Sequence, residues 1–130
     1  MDAALRSFVR ERAGNRCEYC GILQGHIPFV AFHTDHIIPK QHGGDENSSN
    51  LALACYHCNL HKGPNLTGFD PKSRAIVPLF HPRRDTWHEH FAIQGVTIVG
   101  LTPTGRTTVR VLQVNAMERV RLRAALAAGR

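Results

Sequence analysis

The chain has 130 residues, with sixteen Lys and Arg against ten Asp and Glu, a formal net charge of +6 and a pI of about 9.7. This length fits one domain, or one domain with an added terminal segment. Neither an export signal nor an apolar run of membrane-spanning length is visible, so we expect a cytoplasmic protein with no membrane partner. The basic charge favours a polyanionic partner.

The first half of the chain predicts a helix followed by a ββα unit that carries possible metal ligands. Apolar residues at helical spacing, polar loops and short β-prone runs mark the elements. In chain order they are a helix over residues 3–13, a strand within 27–38, a polar loop over 40–50, a short strand over 51–54 and a helix over 56–62.

The second half predicts a small extension of strands and helices. A strand is expected over 75–80 and a hairpin over 91–93 and 96–101, centred on Gln94 and Gly95. Thr102 followed by Pro103 is typical of a helix start, and Asn115 is expected to cap a last helix. On that helix, Arg119, Arg121 and Arg123 form a basic face, which is interpreted as solvated or, alternatively, as part of a DNA footprint.

All four cysteines fall into two Cys-x-x-Cys pairs, Cys17 with Cys20 and Cys55 with Cys58. Without an export signal, this usage favours metal binding over two disulfides or a redox dithiol. Each pair lets one turn supply two thiolates, and two pairs complete a tetrahedral zinc site. Such a site has no open coordination position, so we expect a structural Zn²⁺ that supports folding.

Between the cysteine pairs lies a set of residues suited to phosphodiester hydrolysis. Asp35 can bind a hard divalent cation, and His36 can serve as the base for water. Successive strand residues point to opposite faces, so both can reach one place only where the backbone bends. Asn59 follows the zinc ligand Cys58, and its amide oxygen can complete the cation site.

The order and spacing of these residues resemble the HNH endonucleases of the ββα-metal class. The resemblance covers about residues 15–65, and the upstream cysteine pair matches the zinc-containing branch of that family. The matching segments are Asp35-His36-Ile37-Ile38-Pro39, Gly43-Gly44, Asn50-Leu51 and Cys55-x-x-Cys58-Asn59-x-x-Lys62-Gly63.

The resemblance implies a role for each matched position. His36 would be the general base, Asn50 would brace the loop and orient the base, and Asp35 and Asn59 would bind the catalytic Mg²⁺ or Mn²⁺. His61 is the alternative cation ligand or a phosphate contact, but on a helix it lies about 200° from Asn59. Lys62 is interpreted as a phosphate contact or a solvated lysine at the helix end.

The expected fold is α+β, with a zinc-stapled ββα-metal core over residues 1–68 and a hairpin-plus-helix extension over 69–130. The leading hypothesis is a metal-dependent endonuclease acting on double-stranded DNA. The alternative is a zinc-ribbon module that binds nucleic acid without cutting it. The sequence predicts neither the oligomeric state nor the cleavage specificity.

Overall fold

The computed structural model describes residues 1–129 and contains helices and three separate pairs of antiparallel strands. This mixture confirms the predicted α+β class. No helix within residues 1–129 is long and apolar enough to cross a membrane. The elements in chain order are α1 (Ala3–Arg12), β1 (His33–His36), β2 (Leu51–Ala54), α2 (Tyr56–Lys62), β3 (Thr67–Phe69), β4 (Ile76–Pro78), α3 (Trp87–His90), β5 (Phe91–Gln94), β6 (Thr97–Gly100), α4 (Pro103–Val111) and α5 (Met117–Ala128).

β1, β2 and α2 form the predicted ββα unit. β2 pairs antiparallel with β1, with Asp35 opposite Ala52, and it is buried along its whole length. Its short uninterrupted apolar sequence is typical of a strand covered on both faces. Cys55 follows β2 directly and caps α2, its Sγ accepting a hydrogen bond from the backbone N–H of Cys58 at 3.4 Å. β2 therefore leads the chain straight into the second cysteine turn.

β1 is shorter than the strand expected within residues 27–38. The side chain of Gln24 donates to two backbone carbonyls of the preceding loop and accepts from the N–H of Phe32 at 2.7 Å. These bonds use backbone groups that a strand ladder would need, and Pro28 has no N–H to offer. The result is a side-chain-braced loop over residues 27–32.

The second half packs around α4, which contacts β6 as well as the pair of β3 and β4. Gly68 lies so close to α4 that an added Cβ would come within 2.8 Å of side-chain atoms of Thr107 and Val111. Nearby, the fully buried carboxylate of Asp70 accepts two hydrogen bonds from the guanidinium of Arg106, both at 2.9 Å. These bonds hold the pKa of Asp70 well below its ordinary value.

The start of α5 differs from the prediction. Asn115 does not cap this helix, because its amide pairs with the backbone of Ile98, accepting at 3.0 Å and donating at 2.8 Å. Ala116 occupies the cap position instead, and α5 begins at Met117. The other predicted cap is confirmed: Thr102 Oγ1 accepts from the N–H of Gly105 at 3.0 Å at the start of α4.

The two segments predicted from the sequence share one buried core. That core runs from Val9 in α1 through β2 and the cysteines to Leu112 after α4. The boundary expected at residue 68 falls inside β3, whose partner β4 belongs to the second segment. A division before Thr67 would keep this strand pair together, and the division into two units stays a prediction.

Candidate metal centre and catalytic cleft

The four cysteines converge on one buried point, as predicted. Their sulfur atoms all lie within 4.8 Å of one another, and Cys20 Sγ is 3.8 Å from Cys55 Sγ. A tetrahedron with Zn–S bonds of about 2.3 Å has sulfur–sulfur edges of about 3.8 Å. None of the four forms a disulfide. The donor set and its spacing therefore fit a four-coordinate zinc ion.

Arg119 of α5 also reaches this cluster. Its Nη2 lies 3.4 Å from Cys55 Sγ and 3.9 Å from Cys20 Sγ. The interpretation of Arg119 as part of a solvated face was wrong, because the helix turns this side chain inward over the sulfur atoms. A guanidinium in this position offsets part of the negative charge that four thiolates would carry.

A cleft of about 340 Å³ brings together the three residues predicted to do the chemistry, Asp35, His36 and Asn59. Strand neighbours usually point to opposite faces, but β1 ends at His36, where the backbone leaves the strand geometry. Pro39 and Lys40, which follow this end of the strand, form part of the same cleft wall.

Asp35 is buried and tightly held. Its Oδ2 accepts a hydrogen bond from the hydroxyl of Tyr19 at 2.8 Å and lies 3.3 Å from Lys62 Nζ. Burial raises the pKa of Asp35, and the Lys62 ammonium and the Tyr19 hydroxyl offset part of that rise. No hydrogen bond found within residues 1–129 uses the other oxygen, Oδ1.

Lys62 is buried, whereas the sequence indicated a phosphate contact or a solvated lysine at the helix end. Its side chain is only 2% exposed, and Nζ donates to the backbone carbonyl of His36 at 3.2 Å besides pairing with Asp35. A buried ammonium needs such partners to offset its desolvation. The last turn of α2 thus points Lys62 into the protein, and a contact with DNA phosphate at this residue does not fit its burial.

The imidazole of His36 has a carboxylate neighbour that the sequence did not reveal. His36 Nε2 is buried, has no hydrogen-bond partner in the described part of the chain, and lies 3.6 Å from Glu46 Oε1. The same oxygen is 3.2 Å from Lys40 Nζ, which lowers the pKa of Glu46. Glu46 therefore faces the predicted base as an anion at neutral pH.

Asn50 braces the loop that joins β1 to β2. Its Oδ1 accepts from the N–H of Ile38 at 2.8 Å, and its Nδ2 donates to the carbonyls of Ile38 and Asp45 at 3.0 and 2.9 Å. Gly44 is pressed against the same place, since a Cβ there would meet the Ile38 carbonyl oxygen at 1.6 Å. The buried amide thus fixes the backbone just beyond His36.

Asn59 and His61 occupy different surroundings on α2. Asn59 lines the cleft with Asp35 and His36, whereas His61 is absent from the part of the cleft wall formed by residues 1–129. The His61 ring lies instead 4.3 Å from the ring of His57. His57 in turn contacts the Gln113 carbonyl oxygen through Nε2 at 2.8 Å, and burial lowers its pKa.

The side chain of Tyr56, in the first turn of α2, is exposed. It is 53% accessible, and its ring lies 6.2 Å from that of His33, which is also exposed. Trp87, by contrast, is partly buried against the core, and its Nε1 donates to the Tyr19 carbonyl at 2.8 Å.

The sequence did not indicate that three residues contact the cleft or the sulfur cluster: Tyr19, Glu46 and Arg119. Tyr19 was visible only as the third residue of a cysteine turn, and Glu46 only as one polar residue of a long loop. The direction in which each side chain points depends on the tertiary fold.

Comparison with known proteins supports the resemblance found in the sequence. The family profile described as HNH endonuclease matches residues 17–65, which confirms the predicted family for this segment. The chain is also 29% identical over 119 residues to Septu protein PtuB of Bacillus thuringiensis. That alignment covers 89% of this chain but 43% of the relative, so the chain spans less than half the relative's length. No solved structure gives a significant match.

Proposed function

We propose that the protein is a metal-dependent endonuclease that hydrolyses phosphodiester bonds of double-stranded DNA. The observation that carries the proposal is the single cleft lined by Asp35, His36 and Asn59. A base and two hard oxygen donors in one concave site are what hydrolysis of a phosphodiester requires. The HNH profile match over residues 17–65 supports the same reaction class.

In this proposal His36 takes the proton from the attacking water. Asn50 fixes the backbone beyond the strand end and so restricts where the imidazole can lie. Glu46, 3.6 Å from Nε2, faces the imidazolium that forms when the proton is taken and stabilises its charge.

Asp35 and Asn59 would hold a divalent cation such as Mg²⁺ or Mn²⁺. Carboxylate and amide oxygens are the ligands these ions prefer. When bound, the cation stabilises the negative charge that develops on the phosphate and the leaving oxygen. Asp35 Oδ1 would bind the cation, because the contacts of this carboxylate with residues 1–129 use Oδ2.

The four-cysteine cluster would hold a structural Zn²⁺. It supplies no open position for chemistry, but it ties the turn at Cys17 to the start of α2, on which Asn59 sits. The net charge of +6 suits a polyanionic substrate such as DNA.

Nicking of supercoiled plasmid tests the proposal. Wild-type protein is expected to nick the plasmid with Mg²⁺ or Mn²⁺ and not with EDTA, and His36→Ala is expected to lower the rate by about 10²-fold or more. His42→Ala is the matched control, because His42 is an exposed histidine in the neighbouring loop.

Two results would contradict the proposal. Plasmid retardation by the wild type without nicking under any metal condition would favour the non-catalytic zinc-ribbon module. Near-wild-type nicking by His36→Ala, with nicking still abolished by EDTA, would remove His36 from the role of base.

A further inference from the structure

Two side chains hold the same oxygen of Asp35, and both come from elements that also carry the cysteine ligands. Tyr19 lies in the turn between Cys17 and Cys20, and Lys62 ends the helix that Cys55 caps. Resting on the nuclease function proposed above, we propose that Tyr19 is a positioning residue that sets the affinity of Asp35 for the catalytic cation.

Tyr19 is held on several sides, so its hydroxyl has a defined position. The residue is 3% exposed, and its ring makes an edge contact with Phe80 at 6.4 Å between centroids. Its carbonyl accepts from Trp87 Nε1 at 2.8 Å. The hydroxyl bond to Asp35 Oδ2, also 2.8 Å, is therefore made by a rigid donor.

Lys62 fixes the carboxylate from a second direction. Its Nζ lies 3.3 Å from Asp35 Oδ2 and donates to the carbonyl of His36 at 3.2 Å, so one ammonium spans the two neighbouring residues of β1. The ammonium repels a nearby cation as well as orienting the carboxylate, so its removal would have two opposing effects. The uncharged hydroxyl of Tyr19 has only the orienting effect, which makes it the better residue to test.

The orientation follows from the use of one oxygen by both donors. With Oδ2 fixed, the carboxylate cannot rotate freely, and Oδ1 is left to face a cation in the cleft that Asp35 lines. Hydrogen-bond partners that orient a metal-binding carboxylate typically change metal affinity by about 10-fold to 100-fold when they are removed.

The test is a Mn²⁺ titration followed by electron paramagnetic resonance on zinc-loaded protein without DNA. Tyr19→Phe removes only the hydroxyl, Tyr56→Phe makes the same change at an exposed tyrosine, and Asp35→Asn removes the carboxylate charge. We expect Tyr19→Phe to weaken Mn²⁺ binding by about 10-fold or more, with zinc content and thermal midpoint kept. Tyr56→Phe is expected to match the wild type, and Asp35→Asn to abolish the site.

The cleavage reaction gives a second measurement. If Tyr19 acts through the cation, the half-saturating Mn²⁺ concentration for plasmid nicking rises in Tyr19→Phe, while the rate at saturating Mn²⁺ returns close to that of the wild type. A lower rate at every Mn²⁺ concentration, with unchanged half-saturation, would overturn the inference.

The outcomes separate this inference from the proposed function. Unchanged Mn²⁺ affinity in Tyr19→Phe, with loss of binding in Asp35→Asn, would overturn the positioning role and leave the nuclease proposal standing. Loss of zinc or of folding in Tyr19→Phe would also overturn it, since the hydroxyl would then serve the fold. Wild-type Mn²⁺ affinity in Asp35→Asn would contradict both, because Asp35 would not be a cation ligand.

Discussion

At the scale of single residues, two positions on α2 offer the same kind of chemistry in different surroundings. Asn59 lines the cleft with Asp35 and His36, whereas the His61 ring lies beside the His57 ring, tilted by 48°, on another side of the helix. Their separation of about 200° around the helix axis explains why one turn cannot present both to the same ion. Asn59 is therefore our candidate for the second cation ligand.

Asn59→Ala is expected to lower metal-dependent nicking by about 10-fold or more and to weaken Mn²⁺ binding, with zinc retained. His61→Ala, the matched change two positions along, is expected to cost less because its ring does not reach the cleft. Filter binding to plasmid in EDTA should survive both changes and weaken with added salt. A strong loss in His61→Ala with a mild one in Asn59→Ala would reverse the assignment.

The site could be predicted from the sequence where residue type and spacing carried the information. The sequence predicts Asp35, His36 and Asn59 as site residues, and the three line one cleft in the structure. The contacts of Lys62 and Tyr19 with Asp35 could not be predicted, because they depend on how the tertiary fold buries these side chains. A lysine at a helix end is usually solvated, and only the tertiary fold turns this one onto Asp35.

At the scale of elements, the two cysteine turns connect parts of the chain that secondary structure alone leaves apart. The first turn follows α1, and the second begins α2 directly after β2. Among the hydrogen bonds that join these parts, the Glu18 N–H donates to the Leu53 carbonyl and the Leu53 N–H donates to the Glu18 side chain, both at 2.8 Å. Arg12 of α1 also donates to the carbonyls of Ser48 at 3.0 Å and Leu51 at 2.6 Å. A zinc ion held by both turns would tie these parts together more strongly than these bonds alone, so we expect it to contribute much of the stability of this half.

Cys58→Ser is expected to lose zinc and to unfold the first half, because zinc bound to four thiolates contributes about 10 kcal/mol or more to folding in small zinc domains. Removal of zinc from the wild type with a strong chelator should have the same effect, and adding zinc back should reverse it. Thermal unfolding and metal analysis measure both effects. An unchanged thermal midpoint after complete zinc removal would contradict a structural role.

The elements themselves were predictable where local signals agreed. β2, α2 and the cap of α4 were expected and are present. The strand within 27–38 is shorter than expected, because the Gln24 side chain bonds to backbone groups of residues 27–32 that a longer strand would use. A pattern of alternating residues does not indicate such side-chain contacts. Asn115 has the residue type of a helix cap, but its side-chain amide forms hydrogen bonds with the backbone N–H and carbonyl of Ile98 in β6 instead.

At the scale of the whole molecule, the pair of Asp70 and Arg106 joins the end of β3 to α4. Arg106 donates twice to the buried carboxylate, and Ser73 Oγ donates to it at 2.7 Å. The bonds from Arg106, followed by those from Ser73 and Lys72, lower the pKa of Asp70 against the opposing effect of burial. A carboxylate held in this way links the stability of the fold to pH.

Because the pKa of Asp70 is lower in the folded protein than in the unfolded chain, its ionised form stabilises the fold. The stabilisation from Asp70 is fully present above its ordinary pKa of 3.8 and is lost as the pH falls through and below that value. Asp70→Asn should therefore be less stable than the wild type at neutral pH, and the difference should narrow as the pH is lowered from about 6 to about 3. Urea unfolding at a series of pH values measures this, with Asp45→Asn as an exposed control. A constant difference across the series would contradict the prediction.

Arg119 contacts the sulfur cluster from outside residues 17–65, the segment that matches the family profile. This contact bears on whether that segment could be moved into another protein by itself. A host protein given residues 17–65 alone would receive all four cysteines without the Arg119 guanidinium, which lies 3.4 Å from Cys55 Sγ. It would also lack Trp87, which anchors the carbonyl of Tyr19, and Arg83, which pairs with Glu18 in the same turn. A graft that keeps these contacts would have to include α5 and the segment around α3, so the minimal transplantable unit is close to the whole chain.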